Sequence, residues 1–93
     1  MSASKGHFLH VSFKWSARPK TEELEPVFNK ALDWARYAGN CWILWTTSSA
    51  QKWSQRLIPY LGEGDHMFIC RIDLTDRSGW LPKWVWEWLK EER

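Results

Sequence analysis

Phe8-Leu-His-Val-Ser-Phe-Lys-Trp15 alternates by residue: Leu9, Val11, Phe13 and Trp15 fall on one face, His10, Ser12 and Lys14 on the other. Successive side chains of a strand point to opposite faces, so this stretch reads as a β-strand with one well-buried face. Downstream, Ser16 to Lys20 form a loop containing Pro19, and a helix follows. Two starts suit that helix. Thr21 can cap it, with Glu22 and Glu23 set against the N-terminal dipole, or it begins later with Pro26 at the first helical position. Val27, Phe28, Ala31 and Leu32 supply its apolar stripe in either case.

Residues 32–47 read as two strands around Gly39-Asn40, where Gly accepts the positive φ of a two-residue hairpin turn and Asn tolerates it. The first arm, Asp33 to Ala38, is short and mixed. The second, Cys41-Trp-Ile-Leu-Trp45, is apolar on both faces and is expected to be central and covered on each side. Ser48 with Gln51 three residues on forms a capping-box signature for a second helix, whose apolar face is Trp53, Leu57 and Leu61 and which Pro59 ends or kinks. Gly62 to Asp65 is a turn, and Met67 to Leu74 is a further strand, apolar on both faces except at Arg71. After a polar turn, Thr75 to Gly79, Pro82 opens a last helix within residues 80–91. Leu81, Trp84, Val85, Trp88 and Leu89 lie on one side of it, and Lys83, Glu87 and Lys90 on the other. This helix is the natural cover for the second face of the sheet. The expected order is strand, helix, strand, strand, helix, strand, helix: an α+β, ferredoxin-like βαββαβ sandwich with an added C-terminal helix. One domain spans residues 1–93, with residues 1–6 flexible.

Length agrees with a single domain, since dividing 93 residues would leave two pieces too small to bury a core. Charged residues make up 26% and hydrophobic ones 44%, and nine Trp set the chain apart from disordered sequences. No stretch approaches the ~20 uncharged apolar residues of a membrane span. Met1 to Gly6 lack the apolar core of a secretory signal, so a cytoplasmic protein is expected. Cys41 and Cys70 each sit in an apolar run and read as buried free thiols; a disulfide would require them to face each other on neighbouring strands. A net charge of +2 is too small for a nucleic-acid packager but leaves room for a local basic patch.

Several stretches fall in a recognisable order: Val11-Ser-Phe13, Trp34-x-x-Tyr37, Thr46-Thr47-Ser48, Arg56-Leu-Ile-Pro-Tyr-Leu61, Arg71-Ile-Asp73 and Gly79-Trp-Leu-Pro-Lys…Trp86-Glu-Trp-Leu89. Over residues 8–90 the series resembles the small bacterial SinR-like proteins, distant relatives of the second CRISPR-associated adaptation protein and of VapD-type toxins. The resemblance implies a ferredoxin-like fold, a homodimer, and nucleic acid as the ancestral ligand. In the nuclease relatives an Asp at the end of the first strand faces its dimer mate, and the pair holds a divalent metal. The corresponding run here is Val11-Ser12-Phe13-Lys14. Two ammonium groups near a dyad repel Mg²⁺ and attract phosphate, so binding is expected rather than metal-dependent cleavage, with no cofactor or metal.

Lys14-Trp15-Ser16-Ala17-Arg18-Pro19-Lys20 gathers three cations and an indole within seven residues. Cations neutralise backbone phosphates and an indole stacks on a base, so Lys14, Trp15, Arg18 and Lys20 are the candidate ligand-binding residues. The plainer alternative is a solvated loop whose Trp15 completes the core. Arg36 and Arg71 join this patch if their strands are neighbours; otherwise they pair with Asp33 or Asp73. Trp42 or Trp45, together with Trp53 and Trp88, are expected in the core. At least two of Trp15, Trp34, Trp84 and Trp86 are expected at the surface as contacts for a protein partner or a dimer mate. Trp86, opposite the apolar stripe of the last helix, is the foremost of these, with Trp34 and Trp84. His7 and His10 point to opposite faces of a strand and make no metal site with His66. Asp73 and Asp76 read as a turn after a strand.

Overall fold

The structure, a computed structural model, describes residues 6–93. The chain runs through β1 (His7–Lys14), α1 (Thr21–Phe28), β2 (Asp33–Ala38), β3 (Cys41–Thr46), α2 (Ala50–Leu57), a 3₁₀ turn (Ile58–Tyr60), β4 (His66–Ile72) and α3 (Lys83–Lys90). The strands form one antiparallel sheet in the order β2-β3-β1-β4. The fold is therefore mixed α+β, with a four-stranded antiparallel sheet and three helices. No helix among the described residues is long and apolar enough to cross a membrane.

Register sorts the residues onto two faces. On the first lie Leu9, Val11 and Phe13 of β1 with Trp42 and Leu44 of β3; α1 and α2 cover them with Leu24, Val27, Phe28, Trp53 and Leu57. Aromatic rings knit this layer: Phe28 stacks between Trp42 (centroids 4.9 Å apart) and Trp53 (6.1 Å), and Phe13 meets Trp42 edge-on at 5.5 Å. Helices of eight residues are unstable alone in water, so α1 and α2 owe their stability to this docking. On the second face α3 lays Val85, Trp88 and Leu89 over Ala35 of β2 and Ile43 of β3. The β1–β4 half of that face, with Ser12, Lys14, His66 and Phe68, carries no helix, and Phe68 is 63% exposed.

Several local expectations are corrected. Lys20 occupies the cap position of α1 without a side-chain hydrogen bond, and Thr21 is already helical; Pro26 lies inside the helix. Ser49, rather than Ser48, caps α2, its hydroxyl accepting from the Lys52 N–H at 3.1 Å. Neither Gly39 nor Asn40 has positive φ. A register shift between Arg36 and Ala38 sits beside the turn, and such an irregularity adds local twist. The left-handed conformation falls instead on Gly64 (φ 85°), where an added Cβ would also lie 2.9 Å from the Ser16 Cβ. The last strand ends at Ile72, earlier than expected, and is an edge strand whose residues are exposed or half-buried. Pro82 stands at the cap of α3 instead of its first turn.

Cys41 and Cys70 are free and half-buried rather than buried. They lie opposite Ser12 and His10, on the two strands that flank β1, so they do not occupy neighbouring strands. Of the expected flexible start, Met1 to Lys5 lie outside the described residues. Gly6 lies against the Trp45 indole, where an added Cβ would come within 2.6 Å of two ring carbons.

Candidate functional site

The basic loop after β1 is largely neutralised by its own surroundings. The Arg18 guanidinium pairs with Glu23 at 3.0 Å, and the Lys20 ammonium with Asp65 at 3.2 Å. Trp15 is half-buried and stacks flat on Phe13, 4.9 Å between centroids, so the plainer reading of Trp15 as a completion of the core holds. Lys14 is exposed at the end of β1 opposite His66, beside a shallow depression of about 190 Å³ that also includes Phe68.

Asp65 organises this end of the molecule. Its carboxylate accepts from the Ser16 N–H at 2.9 Å, the Gly62 N–H at 2.8 Å and the Lys20 ammonium. The two backbone donors, Ser16 first, hold its pKa well below the ordinary 3.8, and Lys20 adds to the effect. A folded-state pKa below the unfolded one stabilises the fold above the unfolded value, and that stability drains away as the pH falls below about 4. Asp65→Asn is therefore expected to be less stable than the wild type at pH 7 and to show a shallower loss between pH 5 and 3. Urea melts at several pH values report it, and acid limbs of equal slope would contradict it.

Arg36 and Arg71 do not meet the loop or each other, because β2 and β4 are the opposite edges of the sheet. Neither takes the carboxylate expected of it. Arg36 donates from Nε and Nη2 to the Gly39 carbonyl at 3.0 and 2.8 Å, and lies over the Trp42 ring. Asp73 instead accepts from the Thr75 N–H at 2.9 Å and from its hydroxyl, and these bonds lower its pKa. Arg71 lies opposite Leu9, five residues along β1 from Lys14, or about 17 Å.

A groove of about 760 Å³ opens at that far end, where β1 begins and β3 and β4 finish. Arg71 and Arg77 line it, with His7, Asp73 and Thr75 as further polar groups and Phe8, Trp45, Ile72 and Leu74 as the apolar wall. Neither arginine makes an ion pair with a described residue. His7 is oriented by a 2.8 Å hydrogen bond between its Nε2 and the Ser48 carbonyl. His10 points to the other face and meets the Tyr37 hydroxyl at 2.5 Å; burial lowers its pKa. By register Arg71 falls on the face of Leu9, and Phe8, Trp45 and Ile72 on the other, so the groove wraps the end of the sheet. Two guanidinium groups without ion partners among the described residues give that end a positive charge suited to phosphate. Among the described residues no three His, Cys, Asp or Glu side chains gather as a metal site would require.

Arg71 is the one residue shared by the expected site and this groove. Arg77 was missed because it stands in a turn beyond the last strand, where spacing carries no information about neighbours. At least two of Trp15, Trp34, Trp84 and Trp86 were expected at the surface, and only Trp84 is exposed, at 50%. Trp34 packs against the first core and donates from Nε1 to Asn29 Oδ1 at 2.9 Å. Trp86 does not stand opposite the stripe: it packs against the second core under the loop of residues 74–81. Trp42, Trp53 and Trp88 are buried. The fully exposed indole is Trp80, which precedes Pro82 and so escapes any helical stripe. Comparison of the chain with protein-family models, curated proteins and solved structures returned no match.

Proposed function

We propose that this chain is a non-catalytic binding module for a phosphate-containing ligand, nucleic acid or nucleotide, and that it acts as a homodimer in the cytoplasm. The observation that carries the reading is that Arg71 and Arg77, neither of them ion-paired with a described residue, both line the groove at this end of the sheet. Kinship with the SinR-like proteins and a ferredoxin-like fold belong to the same proposal. They are supported by the order of elements, and by two helical connections that each skip one strand: β1 to β2 across β3, and β3 to β4 across β1. The homodimer is supported by the open edge of β4 and the exposed Phe68 beside it. Binding rather than cleavage is supported by Lys14, an exposed ammonium at the end of the first strand.

Fluorescence anisotropy with a labelled 12-nucleotide single strand tests the reading. Affinity is expected to fall steeply with salt, and the Arg71→Ala/Arg77→Ala double variant to flatten the log–log slope by about 1.4, from ~0.7 per lost phosphate contact. Absence of binding, or an unchanged slope in the double variant, would overturn it. Native mass spectrometry of the freshly purified protein reports its oligomeric state and any co-purified ligand together.

A second reading, a protein-interaction module such as a regulator or inhibitor in a bacterial or phage defence system, is favoured by two exposed indoles, Trp80 just before α3 and Trp84 in its first turn. Loss of a captured partner in a Trp80→Ala/Trp84→Ala variant that keeps its fold would put this reading first. A metal-dependent nuclease, the third, would need Mg²⁺-dependent cleavage that survives rigorous purification.

A further inference from the structure

Arg93 lies three residues beyond α3, yet its side chain is only 9% exposed. Its guanidinium carbon sits 4.4 Å from the Trp88 ring centroid, 5.5 Å from Phe8 and 5.9 Å from Trp45, with Nη2 3.5 Å from Asp33 Oδ2. Three aromatic rings and a carboxylate, drawn from β1, β3, α3 and β2, thus surround one planar cation. Ring faces are electron-rich, and a partly desolvated cation among them is held well beyond what a single surface contact gives.

The walls are set without help from Arg93. Trp88 Nε1 donates to Asp33 Oδ2 at 3.0 Å, and Asp33 Oδ1 accepts from the Trp34 N–H at 2.9 Å. Phe8 and Trp45 contact each other at 4.8 Å, and Phe8 meets Trp88 edge-on at 6.1 Å. The segment that supplies the cation is held far less. After α3 the backbone turns extended at Glu91, whose N–H bonds back to the Trp88 carbonyl at 3.3 Å, while the Arg93 guanidinium donates from Nη1 to the Glu91 carbonyl at 3.1 Å and lies with Nη2 4.0 Å from the Glu91 carboxylate. The cage is built into the body of the domain, and its occupant is on a short tether.

We propose that Phe8, Trp45, Trp88 and Asp33 form an exchangeable guanidinium site, which Arg93 fills in cis and an alkylguanidinium ligand enters by displacing it. A guanidinium suits the site because it is flat enough to lie over the Trp88 indole while its N–H groups reach Asp33. The tether gives Arg93 an effective concentration of order millimolar, so it screens out weak cations and makes entry competitive. This site shares Phe8 and Trp45 with the groove but takes a cation, and its other two members, Trp88 and Asp33, are not part of the groove.

The probe is N-butylguanidinium, titrated into wild type and Arg93→Ala and followed by the indole N–H resonance of Trp88. Saturable binding is expected in Arg93→Ala, at least tenfold weaker in wild type, and lost when Asp33→Asn is added. A peptide carrying one internal arginine, run beside the free cation, separates the two sources. Tighter peptide binding assigns the site to an arginine of a partner, and equal binding assigns it to a small molecule. If Arg93→Ala loses its fold, Arg93→Gln keeps the aliphatic stem and is titrated in the same way. No saturable shift in either variant, equal affinity in the Asp33→Asn background, or tetramethylammonium binding as tightly as butylguanidinium would each overturn the proposal.

Discussion

Trp53→Ala is expected to lower the stability of the domain by about 3–5 kcal/mol, the range found for truncating a fully buried indole. Trp53 is fully buried where α2 meets the sheet, stacked with Phe28 and capped by the Arg56 guanidinium 4.7 Å from its ring centroid. Its Nε1 donates to Thr46 Oγ1 at 3.1 Å, and Thr46, itself buried, also accepts from the Ser48 N–H at 3.1 Å. The truncation therefore opens a cavity and removes one of the two donors that fix the turn into α2. Small domains hold only about 5–15 kcal/mol in total, so this one change uses much of the margin. Urea unfolding should show the midpoint falling by roughly 2–5 M, given a slope of order 1–1.5 kcal/mol per molar for a chain of this size. Trp53→Phe leaves Thr46 still bonded to Ser48 and keeps a ring beside Phe28; roughly 1–2 kcal/mol is expected. Equal losses for the two variants would mean that the indole hydrogen bond, not the filled volume, governs the site.

The second large effect concerns the opposite face. Val85 is fully buried between α3 and the sheet, and Val85→Asp would place a carboxylate where it has no partner. Keeping the helix docked would cost more than docking supplies, so α3 is expected to leave the sheet. The loss is bounded by what Val85, Trp88 and Leu89 contribute, about 1.5–3 kcal/mol for each fully buried side chain. Since the first core shares none of these residues, the expected state is partly unfolded: indole resonances of Trp84, Trp86 and Trp88 collapse toward random-coil positions while those of Trp42 and Trp53 stay dispersed. Simultaneous collapse of all five would show that the two faces melt as one unit. Undocking α3 also removes Trp88 from around Arg93, so the guanidinium site should disappear with it.

Much of the architecture was legible in residue patterns. The alternation of residues 8–15 and the doubly apolar run 41–45 each correspond to a strand of the sheet. Of the stripe Leu81, Trp84, Val85, Trp88 and Leu89 the last three are buried in α3, while Leu81 precedes the helix and Trp84 is half exposed. Local periodicity reports which side of an element is apolar, and that side must be covered. Residues 67–72 show where this stops. They are nearly as apolar as 41–45, yet β4 is an edge strand with Phe68 open to solvent, because coverage depends on which elements lie alongside and not on the strand's own composition.

The candidate site was legible only in fragments for a related reason. Lys14, Arg18 and Lys20 are close in sequence, and their charges invite a shared anion. Glu23 and Asp65 reach two of them first. Arg71 lies near the end of a strand and Arg77 stands in the turn beyond it, and each looks unremarkable by itself, yet they line one groove. Phe8, Asp33, Trp45, Trp88 and Arg93 come from five separate places in the chain and meet around one cation. Apolar spacing and turn chemistry are short-range, and they were enough to place strands, helices and most of the core. Charge pairing and ring stacking act through space, across segments brought together by the sheet order. Which cations remain available to a ligand was therefore settled by folding, through the carboxylates and rings it set beside each of them.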